Sequence, residues 1–273
     1  MKQYIDLLSK ILKEPEAHQM TRSGPTIARF GEKLEFDLRE GFPLMTTKFV
    51  SMKHIARETK WYMMGTDKID YLKEHNMKIW DLWADENNSI GPTYGYQWRH
   101  WVADEDWQVE DKPVYDQVQD CIDRIKNNPT DRRIIVNGWN VAHLDKMALP
   151  PCLVMYQFHV GDNDTLNMTV YQRSADSCLG VPYDIAEMGL ILFLVAKITG
   201  KTPAKLTFFY GNVHIYENHI DTLKEQLLET PKQLPTITYE GELNNIEDYD
   251  PEKVILTNYP KDEIKRYKYD ISK

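Results

Sequence analysis

Residues 183–199 form a long run of mostly apolar side chains closed by Gly200, which reads as a helix. Such a helix has few polar positions to turn toward water, so the rest of the chain must enclose it. The chain has the means: 273 residues, 42% hydrophobic and 11% aromatic, can bury a sizeable core. No stretch approaches the roughly 20 apolar residues needed to span a bilayer. The opening MKQYIDLLSKILKEPE spreads charges through its apolar pattern and has no signal-peptide profile.

Around that helix other elements can be read. Tyr4, Ile5, Leu8, Ile11 and Leu12 have helical spacing over 2–13. Residues 26–38 alternate as strands do around Gly31. A helix is expected near 51–64, with Ile55, Trp61 and Met64 toward the core, and another over about 114–127, ending before Pro129. Residues 152–160 and 165–174 look like paired strands joined at Gly161-Asp162-Asn163-Asp164, and 205–216 like a further strand. With no repeat, low-complexity tract or linker, the reading is one α+β domain over 1–273.

Three cysteines (Cys121, Cys152, Cys178) make an odd count without metal-type spacing, so neither a disulfide framework nor a zinc site is indicated. A reducing cytoplasm fits, and a free thiol can then act as a reagent. The net charge of −9 disfavours general nucleic-acid binding, which rests on clustered basic charge. One small phosphorylated ligand stays open, because a few placed arginines suffice for one phosphate.

The most telling segment is Leu149-Pro150-Pro151-Cys152, where two prolines fix the backbone before a cysteine that enters a strand. An arbitrary cysteine is usually a small buried hydrophobe, and a reactive thiolate needs a cation or donor beside it. Gln172-Arg173-Ser174-Ala175-Asp176, on the next expected strand, can face it. Arg132-Arg133 stands before Ile134-Ile135-Val136, at the mouth of a buried strand, where two guanidiniums could converge on a phosphate. His214 and Tyr216 fall on one face of a strand. Trp80 and Trp83 flank Asp81, a spacing more often met in cores. Glu58 lies within an expected helix, where an exposed glutamate is the default and a buried one could shuttle protons.

Together these segments resemble thymidylate synthase and its relatives, the pyrimidine nucleotide hydroxymethylases, from about residue 2 to 225 and more weakly beyond. The blocks that carry the resemblance are Thr46-Thr47-Lys48, Ile79-Trp80-Asp81, Trp83-Ala84-Asp85-Glu86-Asn87 and Gly91-Pro92-Thr93-Tyr94-Gly95. Asp131 to Val136, Pro150-Pro151-Cys152, Gln172 to Asp176 and His214-Ile215-Tyr216 follow in the same order. The resemblance implies an α+β fold with a large mixed sheet packed at a dimer interface and flanked by helices. It implies one-carbon transfer from 5,10-methylenetetrahydrofolate, as co-substrate and without a metal, to C5 of a pyrimidine nucleotide.

Residue by residue, Cys152 matches the nucleophile that adds to C6, which makes C5 enamine-like and able to capture an electrophilic carbon. Arg22, Arg173 and Ser174 match phosphate ligands, and Gln172 falls in the same substrate-binding block. Arg132 and Arg133 match a pair donated across the interface of a homodimer. His214 and Tyr216 match groups that hold the sugar 3′-hydroxyl. Asp176 matches a pterin contact, while Lys48, Trp80 and Trp83 fall in the folate-binding blocks. Glu58 and Tyr94 match members of a proton-transfer network.

Three departures bear on the substrate. Thymidylate synthase carries an asparagine after the Gly-x-Pro turn, whose amide donates to O4 of uracil and accepts from N3–H. Here Gly180-Val181-Pro182-Tyr183 leads to Asp184, which suits cytosine: it accepts from the 4-amino group and shares a proton with N3. The deoxycytidylate hydroxymethylase resembles this chain in carrying aspartate there. A plain helix cap is the competing reading of Asp184. Leu153 stands where a polar residue usually follows the nucleophile. The tail, about 245–273, is longer and more polar than the family's apolar closing segment, and Phe49 and Ser51 stand where basic residues are frequent. Looser closure is therefore expected, admitting water to give a hydroxymethyl product. The resulting expectation is deoxycytidylate (dCMP) 5-hydroxymethyltransferase, serving modified DNA precursors in the cytoplasm, or in a host cytoplasm if the source is a phage. The alternatives are a cytidylate methyltransferase, an ordinary thymidylate synthase, and a non-catalytic nucleotide- or RNA-binding relative.

Overall fold

The structure is a computed structural model that describes residues 1–108 and 113–271. Helix α1 (Lys2–Lys13) follows the opening amphipathic pattern, and β1 (Ala17–Thr21) precedes the long strand β2 (Gly24–Asp37). Ser51 caps α2 (Met52–Met64), accepting from His54 N at 3.4 Å. Ile55 and Trp61 are buried as expected, but Met64, last in the helix, is exposed. Short helices α3 (Asp70–Glu74) and α4 (Gly95–Arg99) lead to α5 (Gln117–Asn127). Helix α5 starts three residues later than the pattern suggests, because Asp116 caps it and Tyr115 is tied to Trp101 in a β-bridge.

Strands β3 (Ile135–Asn137), β4 (Leu153–Val160) and β5 (Thr165–Asp176) come next. Asn163 and Asp164 turn β4 into β5 with φ of 56° and 55°, a left-handed region their short polar side chains tolerate. Helix α6 (Gly180–Thr199) then returns the chain to β6 (Thr202–Tyr216). Helix α7 (Ile220–Gln226) and the antiparallel pair β7 (Thr236–Tyr239) and β8 (Val254–Thr257) complete the chain.

The six-stranded sheet has the order β1-β2-β6-β5-β4-β3. Only β5 and β6 are parallel; the other neighbours are antiparallel, so the sheet is mixed and the fold α+β, as expected. A parallel pair needs a long crossover, and the apolar α6 supplies it while burying Ile185, Leu190 and Leu194 completely. Parallel alignment has a functional consequence. It brings the C-terminal ends of β5 and β6 to one edge of the sheet, with Asp176 paired in register to His214 and Ser174 to Asn212. Close approach there requires Gly211, where a Cβ would come within 2.8 Å of Arg173 O.

The tail packs onto the body instead of hanging free. Phe49 N donates to Lys265 O at 2.8 Å, and the Arg266 guanidinium lies 3.5 Å from the Phe49 ring centre. Tyr269 Oη donates to Gln226 Oε1 at 2.6 Å. The ring of His219 meets Asp270 O at 2.9 Å. Looser closure is thus not what the described part of the tail displays; Ser272 and Lys273 lie outside the described residues. Among the described residues no helix is long and apolar enough to cross a membrane.

Candidate active site

Where the ends of β5 and β6 meet the start of α6, a cavity of about 650 Å³ opens. Cys152 lies on its wall, held from three directions. Its N–H donates to Tyr94 Oη at 3.2 Å, and its carbonyl accepts from Arg173 N at 2.8 Å. The Arg173 side chain donates to Pro151 O at 3.0 Å and Pro150 O at 2.8 Å, so the two prolines present carbonyls to a cation as well as stiffening the entry. Burial pushes the thiol up, and the nearby Arg173 and Arg22 only partly offset it. Burial thus favours the neutral thiol, and any reaction through this sulfur would need a proton acceptor nearby.

Tyr94, the residue before α4, sits at φ 45°, an uncommon conformation for a bulky residue that reports local strain. Packing enforces it. The next residue, Gly95, lies so close to Tyr62 O that a Cβ would approach within 2.2 Å. The Tyr94 ring stacks on Tyr62 at 5.7 Å and meets Trp80 edge-on at 5.3 Å. Trp80 and Trp83 both line the cavity, which makes this aromatic wall part of the site as well as of the core.

Glu58 is buried rather than on the helix surface, and its Oε1 accepts from Trp80 Nε1 at 2.6 Å. Asp184 is the fifth residue of α6, and the residue at the cap position is Leu179, so the helix-cap reading fails. The Asp184 carboxyl borders the cavity and accepts from Gln172 Nε2 at 2.7 Å. Burial raises it to about 7, despite the Gln172 hydrogen bond that opposes the shift. The other end of the Gln172 amide, Oε1, is buried without a partner among the described residues.

On β6, His214 and Tyr216 line the cavity from one face with ring centres 5.1 Å apart. His214 Nδ1 pairs with Asn212 Oδ1 at 2.9 Å, so Nδ1 carries the proton and Nε2 is left as an acceptor. Burial holds this imidazole below its ordinary range, which favours the neutral ring. Arg22, Ser174 and Asp176 complete the expected residues on the cavity wall. Asp176 Oδ1 accepts from Cys178 N at 2.9 Å and Leu179 N at 3.1 Å, tying the end of β5 to the start of α6.

Three expected residues stand elsewhere. Lys48 is buried beside the cavity, not on it: Nζ donates to Cys178 O at 2.6 Å and lies 4.8 Å from the Tyr269 ring centre. Burial lowers its ammonium to about 8. Arg132 and Arg133 are exposed and away from this chain's own cavity, with Arg133 Nε donating to Asp131 Oδ1 at 3.0 Å. The sequence reading also missed residues that line the cavity, chiefly Glu187, Asn212 and Tyr62. Glu187 had a signal, being an acid inside an otherwise apolar helix three positions after Asp184. Asp176, Cys178 and His219 have ligand-type atoms within 4.8 Å of one another; Asp176 Oδ1 already accepts from two backbone N–H groups, and the Lys48 ammonium is held on the Cys178 carbonyl.

A thiol, an aromatic wall, two arginines unpaired with carboxylates among the described residues, and a row of buried acids suit an anionic ring-bearing substrate. They also suit an apolar ring system stacked beside it. The order of these residues is that of one family throughout: the thymidylate synthase family model matches residues 2–271, and the chain belongs to that family.

Proposed function

We infer that the chain carries out the one-carbon transfer, from a methylene-folate to a pyrimidine nucleotide, that its family membership implies. Beyond that, we propose that this chain is a dCMP 5-hydroxymethyltransferase acting as a homodimer. The carrying observation is the Asp184–Gln172 pair on the cavity wall. Gln172 spends an amide N–H on Asp184, so its unpartnered Oε1 calls for a donor. The 4-amino group of cytosine has two hydrogens, one for Asp184 and one for Gln172 Oε1. The O4 of uracil has none and would leave the buried carbonyl unpaired, at a cost of about 1–3 kcal/mol. A carboxyl near 7 also holds the proton that N3 of cytosine can share.

Around this reader the other residues take the roles their places allow. Arg22, Arg173 and Ser174 take the phosphate, with Arg132 and Arg133 of a second copy completing it across the interface. The Nε2 of His214 accepts from the sugar 3′-hydroxyl, and Tyr216 flanks it. Cys152 attacks C6, and Glu58 moves protons at C5. The wall of Trp80, Trp83, Ile79 and Leu179 is apolar and aromatic, which fits a flat pterin, with Asp176 in reach of its polar edge. The folate supplies an electrophilic carbon when bound. Lys48 would act on it only indirectly, by bracing the segment after Asp176.

The docked tail favours a second reading, in which water is kept out and the product is methylated. Ile271, last of the described tail, borders the cavity. Incubation with methylenetetrahydrofolate and dCMP tests both readings. A product heavier by CH2O supports hydroxymethylation; one heavier by CH2, with dihydrofolate absorbance, establishes methylation. Equal turnover of deoxyuridylate (dUMP) would overturn the role of Asp184 and Gln172.

A further inference from the structure

Glu187 lies one helical turn beyond Asp184 on α6 and borders the cavity, and the chemistry above leaves it unused. It is only 6% exposed, and its Oε1 has no hydrogen-bond partner among the described residues. Its carboxyl adjoins that of Glu58, which borders the same cavity from α2 and accepts from Trp80. Two carboxyls can share a hydrogen bond only if one of them keeps its proton. Burial first, then the adjoining Glu58 carboxyl, pushes Glu187 well above the usual carboxyl range. Asp184 on the same helix adds to the push, and the buried Tyr62 hydroxyl lies near the pair from α2.

We infer that Glu187, paired with Glu58, holds the water that adds to the reacting nucleotide, and that this polar pair makes the product a hydroxymethyl group. The inference rests on the hydroxymethyltransferase reading and explains how water is retained beneath a docked tail. Before the step, Glu187 donates to Glu58 and offers its unpartnered Oε1 to a water O–H. In the step, the water oxygen bonds to the exocyclic methylene carbon on C5, and a water proton passes to Glu58. The displaced electron pair then re-forms the C5–C6 double bond and expels the Cys152 thiolate from C6. Glu187 acts here as a positioning residue for Glu58 and as a ligand of the water.

The experiment compares wild type, Glu187→Gln and Glu187→Met with methylenetetrahydrofolate and dCMP tritiated at C5. Tritium release reports the steps before water addition, and product mass reports the addition itself. The expected result for Glu187→Met is near-normal tritium release with hydroxymethyl formation slowed about tenfold to a hundredfold. Glu187→Gln, which keeps both a donor and an acceptor, should recover most of the loss. Without folate, at about pH 8, an infrared carboxylic-acid C=O band should be present in wild type and absent in Glu187→Gln; this decides the matter if the Met variant fails to fold. An unchanged ratio of hydroxymethyl product to released tritium in Glu187→Met, or a band that survives in Glu187→Gln, would overturn the inference. A methylated product from wild type would instead overturn the reading on which it rests.

Discussion

Replacing Asp184 with asparagine should change both stability and nucleotide choice, in amounts the site itself sets. The carboxyl is raised from 3.8 to about 7, chiefly by burial. The folded protein therefore keeps a proton that the unfolded chain has released across that window. Stability must fall as pH rises from about 4 to 7 and level off above, because the folded state binds more protons there. Each pH unit of that window is worth roughly 1.4 kcal/mol, an upper limit of about 4 kcal/mol. The side chain is partly open to the cavity, so solvent screening brings the effect nearer to about 2 kcal/mol. Asparagine removes the titration: Asp184→Asn should match wild type near pH 4 and be more stable by about that amount near pH 8. Denaturant melts at several pH values, at one protein concentration, measure this. The same change gives the site an amide whose N–H meets O4 and whose oxygen accepts from both Gln172 and N3–H. With about 1–3 kcal/mol at stake for each mispaired group, the dCMP/dUMP ratio of kcat/KM should fall by about two orders of magnitude. A variant that kept the wild-type pH slope and the wild-type ratio would refute the reasoning, since Asp184 would then be neither a buried proton carrier nor a reader of the base.

Two other perturbations probe the interface and the tail. Arg132→Ala/Arg133→Ala and Cys152→Ala proteins should each be inactive, yet after mixing and subunit exchange regain up to about a quarter of wild-type activity, because half of randomly paired dimers carry one intact site; no recovery would place the arginines outside the partner's site. Tyr269→Phe removes the bond to Gln226 Oε1 at 2.6 Å and should loosen the tail by about 1 kcal/mol, raising KM for the folate more than for dCMP; equal change in both constants would argue that the tail merely stabilises the fold.

Much of this protein was legible in one dimension, because the signals were local. Apolar continuity over 183–199 marks the crossover helix, and Gly161 to Asp164 marks the turn between β4 and β5, since each depends on neighbours along the chain. Cys152 stood out through the two prolines beside it, whereas Asp184 was singled out only by the resemblance, at a position where the family carries asparagine. What the fold alone decided is which distant side chains meet. Parallel pairing of β5 with β6 sets Asp176 opposite His214, and packing of α2 against α6 brings Glu58 to Glu187. The same packing seals Lys48 beneath Cys178, and tail docking brings Ile271 to the rim of the cavity. None of these follows from periodicity: a buried charge or an orphaned oxygen is created by what surrounds it, and the surroundings come from other elements, 130 residues apart in the case of Lys48 and Cys178.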